Sequence, residues 1–146
     1  MIREITKYDL PSLLLLYTQL HDNSMPEASE TLTQLWEQIL ADKNYHIVVA
    51  DENNKIVSSC VLVLVPNLTH SQRPFAIVEN VITDENYRKQ GLASACLNYA
   101  KEIALSLNCY KIMLLSGSKQ ESAHRLYEKV GYNKNDKTAF IQWLNP

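Results

Sequence analysis

The sequence has no long apolar run, no marked excess of either charge, and few cysteines or histidines. Each shortage excludes something. The apolar runs Leu13–Leu16 and Val61–Val65 fall far short of the ~20 residues that span a bilayer, so no membrane partner is expected. A net charge of −2 gives no electrostatic case for nucleic acid or an anionic membrane surface. Cys60, Cys96 and Cys109 are odd in number and stand among apolar residues, so they read as reduced core residues and not as disulfides or zinc ligands. His21, His46, His70 and His124 lack metal-ligand spacing, so no metal is expected. Met1-Ile2-Arg3-Glu4 opens no long apolar segment, so a signal peptide is not expected and the cytoplasm is the expected location. No repeat, low-complexity tract or linker interrupts the 146 residues, so 1-146 reads as one domain.

What is present alternates strand and helix patterns. Ile2–Ile5 reads as a short strand. Leu10, Leu13, Leu14, Tyr17 and Leu20 mark a helix with Asp9 as its cap and Pro11 in its first turn. Leu32, Leu35, Trp36, Ile39 and Leu40 mark a second, capped by Ser29 or Thr31. Tyr45–Ala50, a turn at Asp51–Lys55 and Ile56–Val65 form a hairpin. Pro66–Pro74 is a polar loop before the strand Phe75–Thr83. Tyr110–Ser116 and Thr138–Leu144 read as further strands. Ser118–Gly131 reads as a helix, with a capping box at Ser118-Lys119-Gln120-Glu121 and Gly131 as its stop. The fold class is α/β (α+β): a mixed, twisted central sheet of about six to seven strands with helices on both faces.

The centre of the chain is a strand, a basic loop and a helix. Phe75–Thr83 is β-branched and apolar, and Asp84-Glu85-Asn86 is turn chemistry. From Leu92 the apolar residues Cys96, Tyr99, Ala100, Ile103, Ala104 and Leu107 share one helix face. The loop between, Arg88-Lys89-Gln90-Gly91, offers two cations and a glycine but no Ser, Thr, Asp or Asn to cap the helix. Uncapped amides at a positive dipole end, with Arg88 and Lys89 beside them, suit a phosphate or pyrophosphate.

Arg88-x-x-Gly91-x-Ala93 resembles the acyl-CoA loop of the GNAT superfamily of N-acyltransferases, with Ala in the last of its slots. Ser122-Ala123-His124-Arg125-Leu126-Tyr127-Glu128-Lys129-Val130-Gly131-Tyr132 resembles the family's second helix motif, in the expected order and separation. The resemblance implies the GNAT fold and acetyl transfer from acetyl-CoA to a primary amine. It implies that Arg88, Lys89, Gln90, Gly91, Leu92, Ala93, Ser94 and Ser118 hold the cofactor. It also implies that backbone atoms of Val81, Ile82 and Thr83 pair with the pantetheine arm like an added strand, where Phe75–Thr83 splays from Leu114–Ser116. Asn80 is placed to create a bulge there.

An alkylammonium, pKa ~10, must lose a proton before it attacks, and the departing thiolate benefits from gaining one. Glu79 is the one acid inside the apolar central strand and is the candidate base. Tyr127 is the candidate acid, because the family places a tyrosine hydroxyl near the CoA sulfur. In the family, the acceptor is bound between the first two helices and beside the central strand. Here those stretches are His21–Ser29, with Asp22, Met25 and Glu27, and Asn67–Pro74, with His70 and Arg73. Some likeness to aminoalkylphosphonate N-acetyltransferases makes His70, Arg73 and Arg125 candidates for a phosphonate or phosphate. The leading expectation is a small-molecule amine acetyltransferase acting by direct attack, with acetyl-CoA and a small amine as partners. The resemblance also allows a homodimer. Its rivals are a protein or peptide N-acetyltransferase and a non-catalytic acyl-CoA-binding module.

Overall fold

In the computed structural model, five strands form one sheet in the order β1-β2-β3-β4-β5. They are β1 Ile2–Glu4, β2 Tyr45–Glu52, β3 Lys55–Val65, β4 Phe75–Thr83 and β5 Ile112–Leu114. The structure describes residues 1–21 and 23–145; Asp22, one of the acceptor-loop residues, lies outside them. The chain separates into a unit from Met1 to Leu114 and a second from Leu115 onward.

The first four strands pair antiparallel and β4 pairs parallel to β5. Asn53 and Asn54, with φ of 53° and 67°, form the two-residue turn of the β2–β3 hairpin, the geometry that fits a right-handed strand twist. Helices α1 Leu10–Tyr17 and α2 Glu30–Ala41 cover one face. There Leu13, Leu16 and Trp36 bury against Ile47, Val49, Val61 and Ile82. Alternate strand residues, including Val48, Cys60, Leu62 and Val78, point to the opposite face. Cys60 there sits beside Cys96 of α3, the helix Leu92–Ser106 that links β4 to β5. Burial pushes the Cys60 and Cys96 thiols up, the latter to about 11, so both stay protonated core groups.

Several expected boundaries move. The first helix stops at Tyr17 because Thr18, Gln19 and Leu20 each donate to the carbonyl three residues back, tightening the last turn. Asp9 stands at that helix's N-cap but does not bond its amides. Its carboxylate accepts from the Thr6 amide at 2.7 Å and from Arg3 at 2.7 and 2.9 Å, and Arg3 also reaches Asp51 at 2.9 Å. Arg3 thus ties β1, α1 and the hairpin together, and its guanidinium holds the Asp9 carboxyl near about 2. Ser29, by contrast, does cap α2, accepting from the Leu32 amide at 3.1 Å.

Among the described residues the sheet has five strands, where about six to seven were expected. Residues 138–144 carry strand-like alternation but form no strand among the described residues, and Phe140, Trp143 and Leu144 are exposed. Alternation makes a strand only where a ladder partner is present. The polar loop before β4 holds a left-handed turn, with φ of 54°, 59° and 59° at His70, Ser71 and Gln72.

The second unit holds helix α4, Glu121–Lys129, which starts later than the sequence suggests. Ser118 and Glu121 make no capping box. The Gln120 amide instead donates to the Gly117 carbonyl at 3.1 Å, and the chain enters the helix uncapped from Gln120. Gly131, with φ of 103°, ends the turn as expected.

Candidate active site

The basic loop folds as its composition requires. Gly91 stands at the N-cap of α3 with φ of 78°, a left-handed conformation that glycine adopts without strain. It offers no side-chain cap, and the first intrahelical bond runs from the Ala95 amide to the Gly91 carbonyl at 3.0 Å. The amides of Leu92, Ala93 and Ser94 therefore have no helical acceptor and no side-chain cap. Arg88 Nε donates to the Thr83 carbonyl at 3.4 Å, which holds the loop against the end of β4. Lys89 and Gln90 are exposed, and Lys89 also adopts a positive φ of 61°.

A buried carboxylate sets the path from β4 into this loop. Asp84 is 4% exposed, accepts from the Asn86 amide at 2.9 Å and pairs with Lys55 at 3.1 Å. The Asn86 amide and then Lys55 hold its carboxyl below the usual range, against the opposing effect of burial. Its own amide donates to the Val57 carbonyl at 2.8 Å. The sequence signalled Asp84 only as turn chemistry; its pairing with Lys55 is a matter of tertiary placement.

β4 is the second part of the site. Its ladder with β5 covers only Ala76–Val78 against Ile112–Leu114. Its ladder with β3 continues to Thr83 but shifts register between Ser59 and Val61, so two residues, Asn80 and Val81, face one. Asn80 has φ of 52°, the left-handed state that Asn tolerates better than most residues. This is the bulge expected at Asn80. Beyond Val78, Ile82 and Thr83 have ladder partners on the β3 side, Val81 lies in the bulge, and none of the three has a ladder partner on the β5 side among the described residues. A one-sided strand, an uncapped helix and a glycine without a Cβ together fit an extended chain ending in a phosphate.

Glu79 lies on the α1/α2 face of β4, opposite Val61, and is exposed. It forms no ion pair with any cation among the described residues. Tyr45 is close enough to be affected by it: burial and then the Glu79 charge push the Tyr45 phenol up. Tyr17 of α1 packs against the same cluster. Its hydroxyl is buried and makes no well-formed hydrogen bond, although the Ser59 and Asn80 side chains lie beside it. Burial, reinforced by Tyr45, pushes the Tyr17 phenol up to about 12. Both tyrosines fall in apolar patterns of the sequence; the strand register brings Tyr45 to Glu79, and the packing of α1 brings Tyr17 to Tyr45.

The structure thus brings Glu79, Val81, Ile82, Thr83, Arg88, Lys89, Gln90, Gly91, Leu92, Ala93 and Ser94 into one unit. Ser118 and Tyr127 belong to the other. Ser118 is exposed in a turn. Tyr127 is half-buried on α4, its ring set edge-on to Tyr132 at 6.1 Å. Arg73 is committed elsewhere: its guanidinium donates to the carbonyls of Asn108 and Cys109 at 3.2 and 3.1 Å. His70 stacks on Tyr110 at 3.8 Å. Those contacts give both residues a structural task and weaken the case for a phosphonate there. Among the described residues no cluster of ligands could hold a metal, and no helix is long and apolar enough to cross a membrane.

The sequence model of the acetyltransferase (GNAT) family matches residues 11–132. The glucosamine 6-phosphate N-acetyltransferase of Trypanosoma brucei brucei is 34% identical over 83 residues, which make up 57% of this chain and 54% of that protein. The chain spans about half the length of the curated relatives it matches, 54% and 49%. Among solved structures, a candidate acetyltransferase from Agrobacterium tumefaciens str. C58 is 36% identical, with a TM-score of 0.89 over 98% of this chain and 99% of that one. An acetyltransferase of Trypanosoma brucei is 25% identical, with a TM-score of 0.78 over 98% and 99% of the two chains.

Proposed function

The chain belongs to the acetyltransferase (GNAT) family, and from that premise we propose that it transfers an acetyl group from acetyl-CoA to a primary amine of a small molecule. The observation that carries this reading is the uncapped N-terminus of α3, with its left-handed Gly91, set beside the one-sided end of β4. Bound there, acetyl-CoA would supply an activated acetyl thioester. The family match runs through both units, which supports treating 1-146 as one catalytic domain. Three free, buried cysteines support a reducing, cytoplasmic setting.

Each residue then has a task. The amides of Leu92, Ala93 and Ser94, with Arg88 and Lys89, hold the pyrophosphate, and the dipole of α3 favours its charge. Gln90 and Ser118 border the cofactor. The free backbone edge of Val81, Ile82 and Thr83 aligns the pantetheine arm. Glu79 takes the proton that the amine must lose, directly or through water, and Tyr127 gives one to the leaving thiolate. A phenol of ordinary pKa ~10 is protonated at neutral pH and can serve as that donor. For the acceptor, phosphorylated amino sugars are the first compounds to try, because the relative at 34% identity is named for one.

Ligand-induced stabilisation tests the cofactor site. CoA and acetyl-CoA are expected to raise the melting temperature by similar amounts, since the loop grips phosphates and not the acyl group. The absence of any rise at millimolar CoA would remove the cofactor assignment.

A further inference from the structure

The turn that leads into the basic loop has all its amides spoken for. The Asp84 amide donates to the Val57 carbonyl at 2.8 Å, and the Tyr87 amide to the Asp84 carbonyl at 2.8 Å. The Asn86 amide donates to the Asp84 carboxylate at 2.9 Å. The Glu85 amide reaches to a different element, donating to Oε1 of Gln19 at 2.9 Å. With that oxygen accepting, the side-chain nitrogen of Gln19 is the group that donates to the buried Asp84 carboxylate. Gln19 is itself held, because its backbone amide donates to the Leu16 carbonyl at 3.0 Å in the tightened end of α1. Lys55 also pairs with Asp84, at 3.1 Å, and sits 5.1 Å over the Tyr87 ring. The turn Glu85–Tyr87 is thus braced from β3 by Lys55 and from α1 by Gln19, all within the first unit.

We propose that Gln19 is a positioning residue for the cofactor loop: by bridging Asp84 and Glu85 it holds Arg88–Gly91 and the start of α3 in the arrangement that takes the pyrophosphate. The inference rests on the acetyl-CoA reading and adds to it a residue of α1 that acts through the loop. The bridge needs a group that accepts on one side and donates on the other. The Glu85 amide offers only a proton and the ionised Asp84 only lone pairs, and a side-chain amide serves both. The segment it steadies is weakly held by its own bonds. Lys89 and Gly91 are both left-handed, with φ of 61° and 78°, and Arg88 reaches the Thr83 carbonyl only at 3.4 Å. A left-handed lysine is disfavoured in a free chain, so the course of the loop is imposed from its ends. α3 fixes one end and the braced turn fixes the other. Gln19 is exposed, and replacing an exposed side chain ordinarily changes global stability little. Its bonds bear instead on where the loop starts. A loop that leaves the competent arrangement binds its ligand more weakly, in proportion to the competent fraction that remains.

The test is calorimetric titration with CoA. Gln19→Met keeps the length of the side chain and removes both bonds. Its Kd for CoA should rise roughly ten-fold, as for a loop competent about a tenth of the time. Its ligand-free melting temperature should stay within about 2 °C of wild type. Gln19→Glu keeps the acceptor for the Glu85 amide but sets a second carboxylate beside Asp84, with Lys55 as the cation paired there and Glu85 and Arg88 next along the chain. Two adjacent carboxylates favour sharing a proton, so the pair takes one up above the ordinary glutamate value of ~4.3. When protonated, the new side chain donates as the amide did. The ratio of variant to wild-type Kd should therefore be near one at pH 5 and climb several-fold by pH 8; taking the ratio cancels the titration of CoA itself. An unchanged Kd in Gln19→Met overturns the proposal, and a lower melting temperature alongside that unchanged Kd makes the bridge structural only. A ratio for Gln19→Glu that does not move with pH overturns it as well. If the wild-type protein fails to bind CoA at all, the cofactor reading beneath the proposal falls with it.

Discussion

Gly91→Asp is expected to abolish the rise in melting temperature that CoA gives. Two effects combine at this position. The glycine has φ of 78°, so any L side chain there is strained, by about 1–2 kcal/mol. A Cβ at Gly91 meets nothing within 4 Å, so the strain is not compounded by a clash inside the protein. The aspartate carboxylate, however, stands at the N-cap, where it can accept from the α3 amides proposed to hold the phosphates and would repel phosphates bound there. Gly91→Ala carries the same backbone strain without the charge. It should lower stability by a similar amount and retain more of the CoA response. Equal CoA responses in Gly91→Asp and wild type would place the phosphates elsewhere.

Tyr127→Phe should lower kcat by roughly ten- to a thousand-fold while leaving folding and CoA binding intact, if its hydroxyl protonates the leaving thiolate. The phenylalanine ring can keep the edge-on contact with Tyr132 that the structure shows. A thiolate of pKa ~8.5 leaves more readily when a proton reaches it, and the loss should be clearest where chemistry limits the rate. Single-turnover rates measured with saturating acetyl-CoA separate that step from product release. A single-turnover rate equal to that of the wild type would make the hydroxyl structural.

What the sequence disclosed, and what it concealed, follows from the range of the forces involved. The helix from Leu92 and the strand Phe75–Thr83 were legible because their signals are local: a one-face apolar period, a β-branched run and turn residues between them. The uncapped start of the helix after Arg88–Gly91 was legible because the absence of a capping residue is itself a local fact. Thr138–Leu144 was misread because a strand needs a partner, and alternation alone cannot say whether one is present. The capping box at Ser118–Glu121 failed for a related reason: a turn from Gly117 to Gln120 delays the helix to Glu121, so Gln120 and not Ser118 stands at its N-cap. Asp9 is another case, since Arg3 is distant in the pattern but adjacent once β1 and α1 are folded. Tyr17 and Tyr45 showed in the sequence only as members of a helix and a strand pattern, because apolar periodicity hides what a hydroxyl meets. The approach of Tyr45 to Glu79 depends on register across three strands, and that of Tyr17 to Tyr45 on the packing of α1, which no window of sequence contains.

The most direct measurement is a mass balance of acetyl-CoA consumption with a panel of amines, in wild type and in Glu79→Gln, from pH 6 to 10. Thiol release in the wild-type protein should require an amine, and each thiol released should be matched by one acetylated amine in the mass spectrum. Release should rise with pH until the base is ionised and the amine is free. The Glu79→Gln variant should lose most rate near neutral pH, where free amine is scarce, and least at high pH, where solvent has already taken the proton. Thiol release that is no faster with any amine than without one, in a protein that CoA nevertheless stabilises, would contradict the account and leave a domain that binds the cofactor without using it.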